Sequence, residues 1–428
     1  MVPSRDLAKK VALTKWSEGG VDPCFACGLC TAVCPVHNNV DLSFDPRKLV
    51  RMTIMGQKEE LLRSELLWLC LLCNSCGYHC PRGVKFSHVV PILREMALQQ
   101  EYAKASLLKK VGYRYILPSR KRLACASKFI AFYQRNRRLF ENLGISRLFP
   151  DSVELLAKVL PPVASPPLRE RLAERVPAEG KTKYRVAFFL GCADDLIYTD
   201  VAKATISLLT SLGCEVLIPK QIQCCGMPFV GYSDMRLAKH MALQNISALE
   251  KTGADFIVAD CATCSSFLKE YKLLFSDDPS YAHRAAFFAS KVRDVTEMLS
   301  ILSFENGLLG RLRARLVFHD PCHLRKTQRI WREPRELLRK VEGLEVLEAM
   351  EPLLCCGGAG TYNVFQYEAS MKILEKKLQR LMETKPDLIV TSCPGCITQL
   401  KMGIHMKGLP YGVKHVVEVI KESFLEKT

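Results

Sequence analysis

Eighteen of the twenty cysteines in this 428-residue chain fall into four groups, and the spacing within the groups repeats. The first two read Cys24-x-x-Cys27-x-x-Cys30-x-x-x-Cys34-Pro35 and Cys70-x-x-Cys73-x-x-Cys76-x-x-x-Cys80-Pro81. The other two share a longer pattern, in which a lone cysteine precedes Cys-Cys-Gly and then Cys-x-x-Cys. Any fold must let each set of sulfurs converge. The N-terminus, MVPSRDLAKK, carries charge where a secretion signal needs an apolar stretch, so a reducing compartment is expected. Cysteines so phased in such a compartment point to thiolate metal ligands rather than disulfides.

The first two groups have the run of bacterial ferredoxins, in which three thiolates wrap one cube of iron and sulfur and the fourth reaches the neighbouring cube. By that rule Cys24, Cys27, Cys30 and Cys80 hold one [4Fe–4S] cubane, and Cys70, Cys73, Cys76 and Cys34 hold the other. Pro35 and Pro81 end the local turn and free the fourth cysteine to point across. A zinc knuckle needs only four thiolates and fits twin triplets badly. Every iron is then capped by protein sulfur, so the pair is expected to be a wire and not a catalyst.

From Lys183 onward the chain repeats itself. Cys192, Cys225 and Cys264 recur as Cys322, Cys356 and Cys396, at offsets of 130, 131 and 132. Near-constant offsets between matched residues mark a duplicated domain. Short apolar runs at 186–190, 255–258, 316–318 and 387–390 lead into cysteines and read as strands. Amphipathic stretches at 196–212, 233–251 and 365–384 read as helices. Alternating strands and helices imply α/β units with parallel pairing, whose ligands sit beyond the carboxyl ends of strands.

The expected organisation is a helical two-cluster ferredoxin-like module over 1–100, a basic helical connector over 101–182, and α/β repeats over 183–300 and 301–428. Within the first module, helices are expected from Asp45 to Leu67 and from Val89 to Gln100. The net charge of +17 is uneven, because residues 101–185 hold 19 basic and 7 acidic side chains. A solvated linker and a docking face for an acidic partner or anionic membrane both account for this stretch, which includes Arg135, Arg137 and Arg138. No accompanying motif favours nucleic acid. No window approaches the ~18 uninterrupted apolar residues of a spanning helix, so the chain is expected in the cytoplasm or peripheral on the inner face of the membrane.

Each long pattern brings five cysteines, one more than a cubane needs: Cys192, Cys224, Cys225, Cys261 and Cys264, then Cys322, Cys355, Cys356, Cys393 and Cys396. Adjacent cysteines diverge, so they suit two irons of an extended cluster, while Gly226 and Gly357 open the backbone to a bulky cofactor. This pattern resembles the CCG-domain iron–sulfur oxidoreductases, and the resemblance covers nearly the whole chain. The chain looks like a fused heterodisulfide reductase catalytic subunit. Trp68 through Val84 is similar to that enzyme's small iron–sulfur partner. His319-Asp320-Pro321-Cys322-His323-Leu324 and the stretches 355–363 and 390–397 look closest to the glycolate oxidase iron–sulfur subunits. That branch often lacks the first cysteine of the last pair, whereas Cys393 is present here.

What the resemblance implies is two noncubane [4Fe–4S] clusters, one on each five-cysteine set, reducing a disulfide or similar acceptor. An ordinary cubane with a spare thiol in each set is the simpler alternative. The other branch implies electron transfer for a flavin-dependent glycolate, lactate or glycerol-3-phosphate dehydrogenase feeding quinone. No flavin, nicotinamide or covalent haem motif is visible, so a flavoprotein or membrane cytochrome b subunit is expected as partner. His319 and His323 are candidates to bond cluster sulfur or protonate a departing thiolate. Arg325 and Lys326 read as a solvated helix start, Cys125 as a plain buried residue, and Cys214 as a structural cysteine ending a helix.

Overall fold

The structure is a computed structural model that describes residues 6–18, 20–102, 111–142, 151–302, 304, 308–360 and 362–425. In the N-terminal module the Asp45 carboxylate accepts from the Arg47 and Lys48 amides, and Pro46 opens the helix Pro46–Ile54. The single helix expected from Asp45 to Leu67 is interrupted. Gly56 turns the chain at φ 68°, and a second helix, Lys58–Arg63, buries Leu61 and Leu62. The following helix, Phe86–Gln99, begins three residues before the expected Val89.

The remainder is two parallel sheets built to one plan. In the first, β2 (Tyr184–Phe188) lies between β3 (Cys214–Leu217) and β4 (Phe256–Ala259), with β5 (Val292–Asp294) beyond β4. In the second, β6 (Arg311–Phe318) lies between β7 (Glu342–Leu347) and β8 (Leu388–Thr391), with β9 (Gly412–His415) outermost. Register repeats too, since Phe188 pairs with Val258 and Phe318 with Val390. Helices Thr199–Ser211, Met235–Glu250 and Tyr367–Met382 fall inside the expected stretches. Val186 to Phe189 are fully buried, as strands covered on both faces must be. The connector adds β1 (Arg175–Val176), which pairs antiparallel with β3 and makes the first sheet five-stranded.

One hydrophobic core runs from the N-terminal module into the first repeat, and polar contacts fix the docking. Arg94, itself buried, donates to the carbonyls of Leu67, Cys70 and Gly231. His88 stacks on Trp16, with centroids 4.8 Å apart, and Trp16 meets Phe267 edge-on. The His88 ring lies 3.3 Å from the Glu18 carboxylate and 3.5 Å from that of Glu270 on the first repeat.

Burial alone would lower the His88 pKa, but Glu18 and Glu270 outweigh it and raise it from 6.5 to about 9. A raised folded-state pKa stabilises fully below the unfolded value and is lost as pH climbs through the folded one. The docking contact should therefore contribute of order 3 kcal/mol near pH 6 and fade by about pH 9. Melting temperatures should fall more steeply between pH 7 and 9.5 in the parent than in His88→Gln. Parallel curves would show that the imidazolium does not hold the modules together.

Candidate metal centres

The two ferredoxin-like loops are built alike. Each sets two residues in the left-handed region around its second cysteine: Ala26 and Gly28 about Cys27, Leu72 and Asn74 about Cys73. Three of the four carry a side chain, a strained arrangement that turns successive thiols to one side. A short helix follows in each, Leu29–Ala32 with Cys30 and Ser75–His79 with Cys76. Cys34 and Cys80 then take extended backbone, at ψ 119° and 117°.

Cys34 joins Cys70, Cys73 and Cys76 on the wall of one cavity, with Phe44 and Phe86 beside them. Burial pushes Cys34 up to about 12 and Cys70 up to about 11. Neutral thiols crowded together in an apolar pocket ionise readily only against a metal, so this donor set fits a bound cluster. Past Cys80 the chain meets the other loop. Two residues on, the Arg82 guanidinium lies 4.4 Å over the Phe25 ring, next to Cys24.

In each repeat the cysteines stand beyond the carboxyl ends of the strands. Cys192 opens the helix Cys192–Leu196 after β2, and Cys322 follows β6. Cys261 and Cys393 cap the helices Ala262–Leu274 and Pro394–Met406, which carry Cys264 and Cys396 in their first turns. Helix amides and dipole there favour thiolate. Gly226 (φ 108°) and Gly357 (φ 84°) hold conformations that a side chain resists, and the Gly357 amide donates to Cys355 Sγ at 3.4 Å.

The two sets meet. Within the first, Cys192 and Cys224 are electrostatic neighbours, as are Cys264 and both Cys225 and Cys261. Cys393 of the second is a neighbour of Cys261 and of Cys396, and Cys396 Sγ lies 3.5 Å from Cys356 Sγ. Cys355 has Cys322 as a neighbour on one side and Cys73 of the N-terminal module on the other. Neighbouring cysteines therefore link the second ferredoxin loop with both repeats.

His319 is buried, and one ring nitrogen clusters with Cys356 and Cys396 sulfur within 4.8 Å. His323 Nδ1 lies 3.3 Å from Thr263 of the first repeat and 3.8 Å from Cys322 Sγ, and burial lowers its pKa. Asp194 and Asp260 face each other in the interior, and burial first, then Asp260, drives Asp194 far above the carboxylate range. Their counterparts in the second repeat are Leu324 and Ser392, so the internal repeat gave no sign of them. Cys192 and Cys224 also line a cleft of about 620 Å³ beneath Arg120, Lys121 and Arg122.

Three expectations are corrected. Lys326 is buried and donates to Ser75 Oγ at 2.6 Å, because the N-terminal module packs over this segment, and Arg325 is paired with Asp320 at 2.8 Å. Cys125 is exposed, on a helix, Arg120–Arg135, of which Ser127 alone is buried. Cys214 does not end a helix but begins β3, fully buried.

A helical dicluster module on two cysteine-rich parallel sheets is the build of an iron–sulfur oxidoreductase subunit. Comparison with known proteins agrees. A 4Fe-4S dicluster domain matches residues 20–84, and the CCG cysteine-rich domain matches 186–269 and 316–401. The chain is 33% identical to the "Probable glycolate oxidase iron-sulfur subunit" of Bacillus subtilis (strain 168), over 97% of this chain and 96% of that one. It is 28% identical to the "Glycolate oxidase iron-sulfur subunit" of Escherichia coli (strain K12), over 94% of each. "Lactate utilization protein A" of Geobacillus thermodenitrificans (strain NG80-2) is 32% identical, over 55% of this chain and 98% of its own length. A solved hypothetical protein from Helicobacter pylori shares the fold at 10% identity, with a TM-score of 0.55 over 90% of this chain and 68% of that one. The chain belongs to the CCG-domain iron–sulfur family that includes the glycolate oxidase iron–sulfur subunits.

A Cβ at Gly357 would lie 2.6 Å from the Ser370 carbonyl oxygen, whereas one at Gly360 (φ 66°) meets nothing within 4 Å. Gly360→Ala should cost about 1–2 kcal/mol from its backbone conformation alone. Gly357→Ala should cost clearly more, because a main-chain atom must move. Denaturant unfolding of the two variants checks the order, and equal losses would remove the steric role assigned to Gly357.

Proposed function

We propose that this chain is the electron-transfer subunit of a flavin-dependent 2-hydroxyacid dehydrogenase of the glycolate or lactate class, passing electrons from a flavoprotein partner towards quinone. The observation that carries this reading is the succession of neighbouring cysteines from Cys73 through Cys355 and both repeats to Cys192. The likeness to glycolate oxidase iron–sulfur subunits over nearly the whole chain supplies the substrate class. When bound, a [4Fe–4S] cluster takes up and gives back one electron at a time. In this reading Cys24, Cys27, Cys30 and Cys80 hold one cubane, and Cys34, Cys70, Cys73 and Cys76 hold the next. Cys192, Cys224, Cys225, Cys261 and Cys264 hold a third cluster, and Cys322, Cys355, Cys356, Cys393 and Cys396 a fourth. The protein's part is to fix the spacing and exclude water, while oxidation of the hydroxyacid falls to the partner. No helix among the described residues is long and apolar enough to cross a membrane, so contact with a quinone pool would be made through a docked surface or a cytochrome b-type partner.

A second reading, reduction of a disulfide in the manner of heterodisulfide reductases, is favoured by one feature. Both five-cysteine sets are complete, and they face each other through Cys261 and Cys393. There His319 and His323 would deliver protons to departing thiolates from beside Cys356 and Cys322. Turnover of a small disulfide by the chain without a flavoprotein would select this reading. Reduction only when the flavoprotein and its hydroxyacid are supplied selects the first.

Anaerobically purified protein should hold about sixteen irons, four at each of four sites. Cys356→Ser should remove about four and leave ferredoxin-type signals intact, whereas Cys73→Ser should weaken those signals. An iron content near eight in the parent, unaffected by Cys356→Ser, would empty the two repeats of clusters.

The basic connector is the proposed docking face for the partner. Arg135 and Arg138 are exposed, and Arg137 is tied to Glu141 at 2.7 Å. Reversing all three to Glu should weaken co-purification with the flavoprotein, and added salt should weaken the parent's contact, because exposed charges are screened within ~10 Å at 0.1 M. Unchanged recovery of the complex would leave the stretch a solvated linker.

A further inference from the structure

Lys326 is 3% exposed, and its ammonium donates to Ser75 Oγ at 2.6 Å. Its foremost electrostatic neighbours are not carboxylates but four cysteines: Cys73, Cys355, Cys322 and Cys76. Two belong to the N-terminal module and two to the second repeat, so the cation stands at the junction where sulfur passes from one to the other. A buried ammonium without a counter-charge costs several kcal/mol. It persists where negative charge is held nearby, and four thiols about to ligate metal are such a place.

The hydrogen bonds add direction. An ammonium has donors only, so the Ser75 oxygen must accept from Lys326. The Ser75 hydroxyl proton is then free to point at Cys73 Sγ, 3.3 Å away. The segment is pinned from the other side, where Asn74 Nδ2 reaches the Lys326 carbonyl at 3.5 Å and Ser87 Oγ donates to Asn74 Oδ1 at 3.0 Å. The position that matches Lys326 in the first repeat, by the offset of 130, is Leu196. Only the copy whose cysteines touch Cys73 carries the cation.

We propose that Lys326 is a counter-charge shared by the Cys34/Cys70/Cys73/Cys76 site and the second-repeat site, raising the reduction potential of both and aiming the Ser75 hydroxyl at Cys73. The inference rests on the reading that these cysteines hold clusters. Net charge and hydrogen bonds to sulfur are the levers that set such potentials. Each electron added to either site makes it more negative, so a fixed cation between them favours the reduced form of both. It does so without contacting a substrate, which makes it a positioning and tuning residue.

The test uses the full chain, purified anaerobically, with iron analysis and redox titrations followed by electron paramagnetic resonance. Lys326→Met should lower the midpoints of the two sites it faces and leave that of the Cys24/Cys27/Cys30/Cys80 site in place. Lys326→Arg should stay near the parent. Ser75→Ala should give a smaller downward shift, confined to the site holding Cys73. If Lys326→Met loads no iron at these two sites, Ser75→Ala decides by the same criterion. A purely structural Lys326 would cost iron occupancy while the loaded fraction kept the parent's midpoints, and that result overturns the proposal. A parent chain with no iron on these cysteines would overturn the cluster assignment and this inference together. A loaded parent whose midpoints the variants leave unmoved overturns this inference alone.

Discussion

A thiol buried among other thiols stays protonated unless positive charge lies against it, and in this chain the thiols are packed in touch with one another. Burial raises Cys34, Cys70 and Cys76. Few other polar groups are spent at these sites. The His319 ring lies against Cys356 and Cys396 sulfur, and the Asp194 carboxyl has no donor. The scaffold's task is to hold the cysteines in place until a metal supplies the missing charge, which is why left-handed residues, helix starts and strand ends all converge on them.

Much of this was legible in the sequence because it is written as spacing. The offsets of 130 to 132 fixed the duplication, and the β2/β4 and β6/β8 registers follow it residue for residue. The strands not foreseen are β3, β5, β7 and β9, together with the two-residue β1. Val292–Asp294 and Gly412–His415 are too short to show a period, and Glu342–Leu347 is an exposed edge whose pattern lacks a buried face.

What could not be read was contact between distant segments. Lys326 looks like a solvated residue from its neighbours Arg325 and Thr327, and only the N-terminal module packed above it buries it. The break at Gly56 in the first helix has a similar cause, since two short helices bury Leu49 and Leu61 together where one straight helix would point them apart. Asp194 and Asp260 escaped notice because the second repeat replaces both. Duplication makes shared residues conspicuous and hides those in which the copies have diverged.

The two sheets also differ in how they end. Arg175–Val176 closes one side of the first sheet against β3, and Arg175 joins Arg185 in pairing with Glu215. Among the described residues the second sheet has no such strand: β7 is its outer member, with Glu342 and Glu345 exposed along it. Charged side chains on an uncovered strand discourage it from pairing with another chain, and β3, reading Cys-Glu-Val-Leu and buried throughout, has less such protection. A fragment cut just before Tyr184 would therefore bare an apolar ribbon and invite self-association. The few residues of connector nearest the first repeat belong to the solubility of the molecule as much as to its wiring.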